Sequence, residues 1–115
     1  MTSWITRLLV GLLWVGSAAA EDPIVVGAVV SVTGAQAAAA EGYRRALLLW
    51  EEQVNAAGGL LGRRVEVRLR DDRSQAVRAR AEYERLVEEK ADVLMGPYGS
   101  AATLESAIAA HNDSA

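Results

Sequence analysis

Residues 24–31, Ile24-Val25-Val26-Gly27-Ala28-Val29-Val30-Ser31, are apolar at every position but the last and rich in β-branched side chains. The run is too short for a core helix and has no polar face to offer water. It therefore reads as a strand covered on both sides, the situation of a strand inside a parallel sheet. Parallel neighbours need a crossover between them, usually a helix. That requirement sets what must follow in the chain.

The alternation follows. Val32-Thr33-Gly34-Ala35-Gln36 ends the run with turn chemistry, and residues 37–57 read as a helix. Tyr43, Ala46, Leu47, Trp50 and Val54 fall on one face of it, which places Trp50 in the core, and Glu41 and Arg45 form an i, i+4 pair. Gly58-Gly59 stops this helix and Leu60-Leu61-Gly62-Arg63 is a tight connector. Residues 64–70 alternate Val65, Val67 and Leu69 with charge, as expected of an edge strand with one wet face. Its arginines read as that solvated face and not as an anion patch, since Glu66 interrupts them.

Asp71-Asp72-Arg73-Ser74 is a polar turn. Adjacent carboxylates on an extended chain point apart and no third ligand is nearby, so a capping and turn role outweighs acid–base chemistry or a metal. A second helix spans residues 75–90, with Ala76, Ala79, Tyr83, Leu86 and Val87 inward and Arg78/Glu82, Arg80/Glu84 and Arg85/Glu89 as outer pairs. A third strand over residues 91–96 and a helix over residues 100–110 complete a β-α-β-α-β-α series. Strands alternating with helices imply right-handed crossovers and a three-layer, parallel-sheet α/β fold.

In such a fold small ligands sit beyond the carboxyl ends of the strands. The stretch from Asp92 to Thr103 places a glycine-proline loop there, followed by the first turn of an Ala-rich helix. Free N–H groups and the positive end of the helix dipole would face that loop, so a carboxylate is a natural guest, with the Ser100 and Thr103 hydroxyls as further donors. The plainer alternative is that Ser100 merely caps the helix.

Several functions are disfavoured. The chain has no cysteine, a single histidine (His111) and a formal charge of −3, which leaves no thiolate metal site and argues against a nucleic-acid partner. No nucleophile–base pair or metal cluster can be assembled, so no catalytic residue, metal or cofactor is expected. Thr33-Gly34 does not extend into a dinucleotide fingerprint.

Residues 1–20 read as a cleaved signal peptide: Arg7, then a short apolar run, then small residues giving an A-x-A cut after Ala20. The run falls short of the roughly 20 apolar residues of a membrane anchor, and no cysteine stands at the junction for lipid attachment. A soluble periplasmic product over residues 21–115 is expected.

The order of residues 24–34, then Asn55-Ala56-Ala57-Gly58-Gly59-Leu60-Leu61-Gly62-Arg63, then residues 65–72, then Met95-Gly96-Pro97-Tyr98-Gly99-Ser100 resembles the start of the leucine-binding-protein family. These are periplasmic solute-binding proteins of the hydrophobic amino acid and amide ABC uptake systems. The resemblance covers the chain after the signal. It implies a Rossmann-like half-lobe of a type I bilobed binding protein, closing on a small-molecule ligand (an amino acid or amide) that it passes to an inner-membrane permease. It further implies that Ser100 donates to the ligand's α-carboxylate, that Tyr98 and Gly99 belong to the same cleft loop, and that Thr33 borders the cleft. Where some branched-chain binders have a tyrosine, this chain has Ala39, so the resemblance does not fix a leucine-type ligand and leaves room for a cavity of another shape. Family members continue well beyond this length, so a fragment or truncated frame that binds weakly or not at all is expected. The same fold also serves as the ligand-sensing domain of receptors and of amide-responsive regulators, the main alternative to transport. A stand-alone domain that scaffolds a partner through its open sheet edge is a further one.

Overall fold

A computed structural model describes residues 21–113, and the signal peptide expected over residues 1–20 lies outside the described residues. Three parallel strands, β1 (Ile24–Val30), β2 (Val65–Asp71) and β3 (Val93–Met95), form one sheet in the order β2-β1-β3. The apolar run is thus the central strand. It pairs with β2 from Ile24↔Val65 to Val30↔Asp71 and with β3 from Val26↔Val93 to Ala28↔Met95. Three helices alternate with the strands: α1 (Ala37–Ala56), α2 (Ala76–Glu88) and α3 (Ser100–Asp113).

Successive β1 side chains serve two cores, as the two-residue period of a strand requires. Ala28 and Val30 pack with Ala40, Leu47, Val67 and Leu69 beneath α1. Val29 packs with Ala79, Tyr83, Leu86, Ala102 and Ala109 beneath α2 and α3. Gly27 lies on the second side because a Cβ there would stand 3.0 Å from Leu86 Cδ1 and 3.2 Å from Leu94 Cδ2. The layers are helix, sheet, helices, the α/β fold the alternation demanded.

The inner face of α1 differs from the expected one. Ala40 and Leu47 are buried, whereas Ala46 is exposed and Trp50 is 37% exposed rather than in the core. The reason lies in the open edge of β2. The Asn55 side-chain amide donates to the Val65 carbonyl (2.8 Å) while its oxygen accepts from the Val65 N–H (2.8 Å). A carboxylate oxygen of Glu51 accepts the Val67 N–H. Aiming Glu51 and Asn55 at the edge turns Trp50 toward solvent. An edge strand's spare backbone groups are a pairing hazard, and here polar side chains of α1 cover them.

The charged face of β2 is also less wet than expected. Glu89, at the end of α2, binds Arg68 (3.2 Å) and Arg70 (2.6 Å), roofing a half-buried ion-pair network. These arginines hold the Glu89 carboxyl below its usual value, Arg70 most strongly. Glu89 is therefore not the partner of Arg85, which pairs with Glu82 at 2.9 Å. Arg78 turns to the Gln75 side chain (3.0 Å) instead of to Glu82, whereas Arg80–Glu84 and Glu41–Arg45 form as the spacing predicts.

The connector after α1 accounts for the Asn-Ala-Ala-Gly-Gly-Leu-Leu-Gly-Arg motif. Gly58 (φ +103°) ends the helix with its N–H on the Asn55 carbonyl (3.1 Å) and the Gly59 N–H on that of Val54 (2.8 Å), a Schellman closure. Leu60 and Arg63 then exchange backbone hydrogen bonds (2.8 Å each) across Leu61 and Gly62, both at positive φ. The Arg63 guanidinium donates to the carbonyl of Asp22 (2.8 Å) and fastens the residues leading into β1. All of this lies at the amino ends of the strands. Among the described residues no helix is long and apolar enough to cross a membrane.

Candidate functional site

The carboxyl ends of the strands carry three loops, residues 31–36 after β1, 72–75 after β2 and 96–99 after β3. Polar side chains tie the first two together. Asp71 accepts the Thr33 hydroxyl (2.7 Å) and the N–H groups of Val32 (3.0 Å), Thr33 (3.3 Å) and Arg73 (2.8 Å). Burial pushes its carboxyl up, but the Thr33 hydroxyl and these three N–H groups together leave it below the ordinary value. Asp72 points the other way, as adjacent residues on an extended chain must. It is 1% exposed and accepts the Ser31 hydroxyl (2.7 Å) and the Ser74 N–H (2.7 Å). Ser74 in turn donates to the Thr33 carbonyl (2.8 Å) and accepts the Gln36 N–H (3.0 Å). Arg73 and Ser74 reach these positions at positive φ, +52° and +62°.

Gly34 (φ +89°) is required at this junction, since a Cβ would stand 2.7 Å from the Arg73 carbonyl oxygen and 2.7 Å from Ser74 Oγ. The third loop is held from both sides of the sheet. The Tyr43 hydroxyl of α1 donates to the Gly96 carbonyl (2.6 Å), and the Tyr83 hydroxyl of α2 donates to that of Met95. Burial pushes both phenols above the ordinary tyrosine value.

These loops border a cleft of about 70 Å³ whose walls include Ser31, Gln36, Asp72, Ser74, Ala76, Tyr98 and Gly99–Ala102. Two helix N-termini meet in it, that of α2 at Ala76 and that of α3 at Ser100. The first intrahelical bond of α3 runs from the Thr103 N–H to the Gly99 carbonyl (3.0 Å). Gly99 is therefore the N-cap, and the N–H groups of Ser100, Ala101 and Ala102 precede the helix's own hydrogen-bond ladder. Ser100 sits at the first helical position, exposed, with its hydroxyl not consumed by capping.

The other expected residues divide. Tyr98, 42% exposed, stands on the cleft wall beside Gly99. The Thr103 hydroxyl donates back to the Gly99 carbonyl (2.8 Å), so its proton serves the helix. The Thr33 hydroxyl is likewise given to Asp71, and Thr33 lies in the loop tied to the cleft and not on its wall. Sequence reasoning missed Gln36, Asp72 and Ser74 as cleft residues. The signal was present in the polar turn after β2, but only the β2–β1 pairing shows that Asp72 and Ser31 meet. Among the described residues no group of three or more His, Cys, Asp or Glu is placed to hold a metal ion.

Comparison with protein families finds that the periplasmic binding protein family matches residues 23–114. Among solved structures, the branched-chain amino acid transporter substrate-binding protein of Streptococcus pneumoniae, in complex with isoleucine, superposes with a TM-score of 0.76 at 28% identity over 79% of this chain. An extracellular ligand-binding receptor from Verminephrobacter eiseniae gives 0.72 at 30% identity over 82%. A type 1 periplasmic binding protein from Bordetella pertussis gives 0.69 at 34% identity over 80%. The chain spans about a quarter of the length of these structures, 26%, 26% and 25%. No curated protein matches it.

Proposed function

The chain belongs to the periplasmic binding protein family, and from that premise we propose that it forms the carboxylate-holding wall of an extracytoplasmic solute receptor serving an ABC uptake system. The ligand class is a small molecule, an amino acid or amide, handed on to an inner-membrane permease, with the chain exported and soluble in the periplasm. The observation that carries the reading is the first turn of α3: three N–H groups ahead of the helical ladder, beside an exposed Ser100 hydroxyl, in a cleft at the carboxyl ends of the strands. Such a terminus favours an anion through both its donors and its dipole. Tyr98 flanks it as a wall for the ligand's apolar part. Thr33 acts at one remove, by holding the neighbouring loop to Asp71.

The cleft is far smaller than the ~300–1,000 Å³ of a pocket that encloses its ligand. It contributes one wall, and a handful of hydrogen bonds on one wall gives a Kd of the order of 1 mM or weaker. The isoleucine bound to the Streptococcus pneumoniae protein makes L-isoleucine the first probe. Amide chemical shifts of the 15N-labelled chain, followed to tens of millimolar L-isoleucine, should move at Gly99, Ser100, Ala101 and Ala102. Ser100→Ala should weaken the response several-fold. Shifts confined to other loops, or none, would defeat the proposal.

A further inference from the structure

Asp72 already occupies ground that the site would otherwise leave to an anion. Its side chain is 1% exposed and borders the cleft shared by the first turns of α2 and α3. The Ser31 hydroxyl and the Ser74 N–H, both neutral, donate to the same oxygen, Oδ1. No Lys or Arg side chain lines the cleft among the described residues. A buried carboxylate ordinarily requires a paired cation. Here its donors are that hydroxyl and that N–H, and the two helix N-termini bordering the same cleft add positive potential, the same dipoles available to a ligand carboxylate. One internal negative charge therefore draws on them before any ligand arrives.

We propose that Asp72 sets the charge of the ligand: the cleft admits zwitterions and neutral molecules and rejects net anions. A ligand carboxylate seated at Ser100 meets the field of Asp72, and the penalty is relieved only if the ligand brings its own positive charge. Specificity then arises by repulsion of the wrong class. This inference rests on the reading of the cleft as a solute site, and goes beyond it by naming the residue that discriminates on charge.

The test compares L-isoleucine with 3-methylpentanoate, the same carbon skeleton without the ammonium group, and with the neutral 3-methylpentanamide, by amide-shift titration of the chain. The wild type should bind isoleucine at least about tenfold more tightly than the carboxylate, the effect of one like charge at cleft distance in a medium of intermediate dielectric. It should also bind the amide more tightly than the carboxylate. Asp72→Asn keeps the Oδ1 acceptor for Ser31 and Ser74 and removes the charge, so it should narrow the isoleucine-to-carboxylate ratio about tenfold. Equal wild-type binding of isoleucine and the carboxylate overturns the inference while leaving the solute site standing. So does an unchanged ratio in Asp72→Asn, or a carboxylate that binds better than the amide. Absence of any isoleucine response overturns both. The amide-to-carboxylate comparison needs no variant, and a carboxylate that binds better than the amide overturns the inference even if Asp72→Asn fails to fold.

Discussion

The two ends of the sheet are built from the same materials and held together differently. At the amino ends, Gly58, Gly59, Leu61 and Gly62 take positive φ within one short connector. The bonds that fix them are local: Gly59 to Val54, Leu60 to Arg63, and Asn55 to Val65 ten residues on. At the carboxyl ends, Gly34, Arg73, Ser74 and Gly99 take positive φ, but Thr33–Asp71 and Ser31–Asp72 join residues 38 and 41 apart. The connector can form these turn bonds almost as soon as α1 ends, and the Arg63 clasp on Asp22 joins it to distant chain. The cleft loops can form theirs only after β1 and β2 have paired. The end proposed to bind is thus the end whose order depends on the pairing of distant strands, which suits a surface where a ligand would add the last contacts.

The largest effect expected from this contrast is on glycine. In Gly59→Ala the new Cβ would overlap the Arg63 carbonyl oxygen at φ +83°, a backbone collision that no rotamer relieves. A cost of about 4 kcal/mol follows from left-handed strain plus overpacking, most of the stability of a domain this small. Gly34→Ala also collides, with the Arg73 carbonyl oxygen and Ser74 Oγ at 2.7 Å and Ser74 Cβ at 2.9 Å, but these approaches are milder than the overlap at Gly59. About 2–3 kcal/mol is expected there. Thermal melts followed by circular dichroism would rank the two. The reverse order would show the cleft end to be the stiffer one and break the comparison.

A middle-sized effect separates the ends by pH. Asn55→Ala strips both partners from Val65 at the sheet edge and should cost about 2 kcal/mol at any pH, since nothing in the clip titrates. The Asp71 knot should instead be acid-sensitive. Its carboxyl lies lower in the folded chain than the ordinary value of 3.8. Its contribution is therefore complete above that value and is lost as pH falls through the lower folded one. Hydrogen exchange between about pH 5 and pH 2 should show the amides of Val32, Thr33 and Arg73 losing protection relative to Val65. Parallel loss at both ends would mean that the Asp71 bonds do not hold the cleft loops.

The same contrast explains what could be read from the sequence. The strands and helices are legible because hydrophobic period is a local property, and the turn at Gly58-Gly59 because glycine carries its own backbone preference. Ser100 at the start of α3 is legible for the same reason: strand, loop and helix follow one another in the chain. Asp72 is not, because its burial depends on Ser31 approaching from another strand. Trp50 misleads for a related reason. Its spacing fits the apolar face of α1, but Glu51 and Asn55 are drawn to the β2 edge and set the helix's rotation, and periodicity counts only apolar residues. The Asn55 motif, one of the stretches that carry the resemblance to the family, is structural and lies at the end away from the cleft.

The smallest effect carries the opposite sign. Leu61 is 92% exposed at φ +52°, in the first central position of a two-residue turn whose second is Gly62 at φ +73°. Positive φ at both positions is the type I′ geometry, for which Asn-Gly is the preferred pair. Leucine has no side-chain hydrogen bond to offset its left-handed strain and buries almost nothing there. Leu61→Asn should therefore stabilise the chain by about 0.5–1 kcal/mol, a rise of a few degrees in Tm, with no change in the isoleucine titration at the far end of the sheet. A gain without an effect on binding would establish that the two ends are independent in energy. A loss would mean that the exposed leucine is covered in solution, and a partner for the amino end of the sheet would then have to be sought.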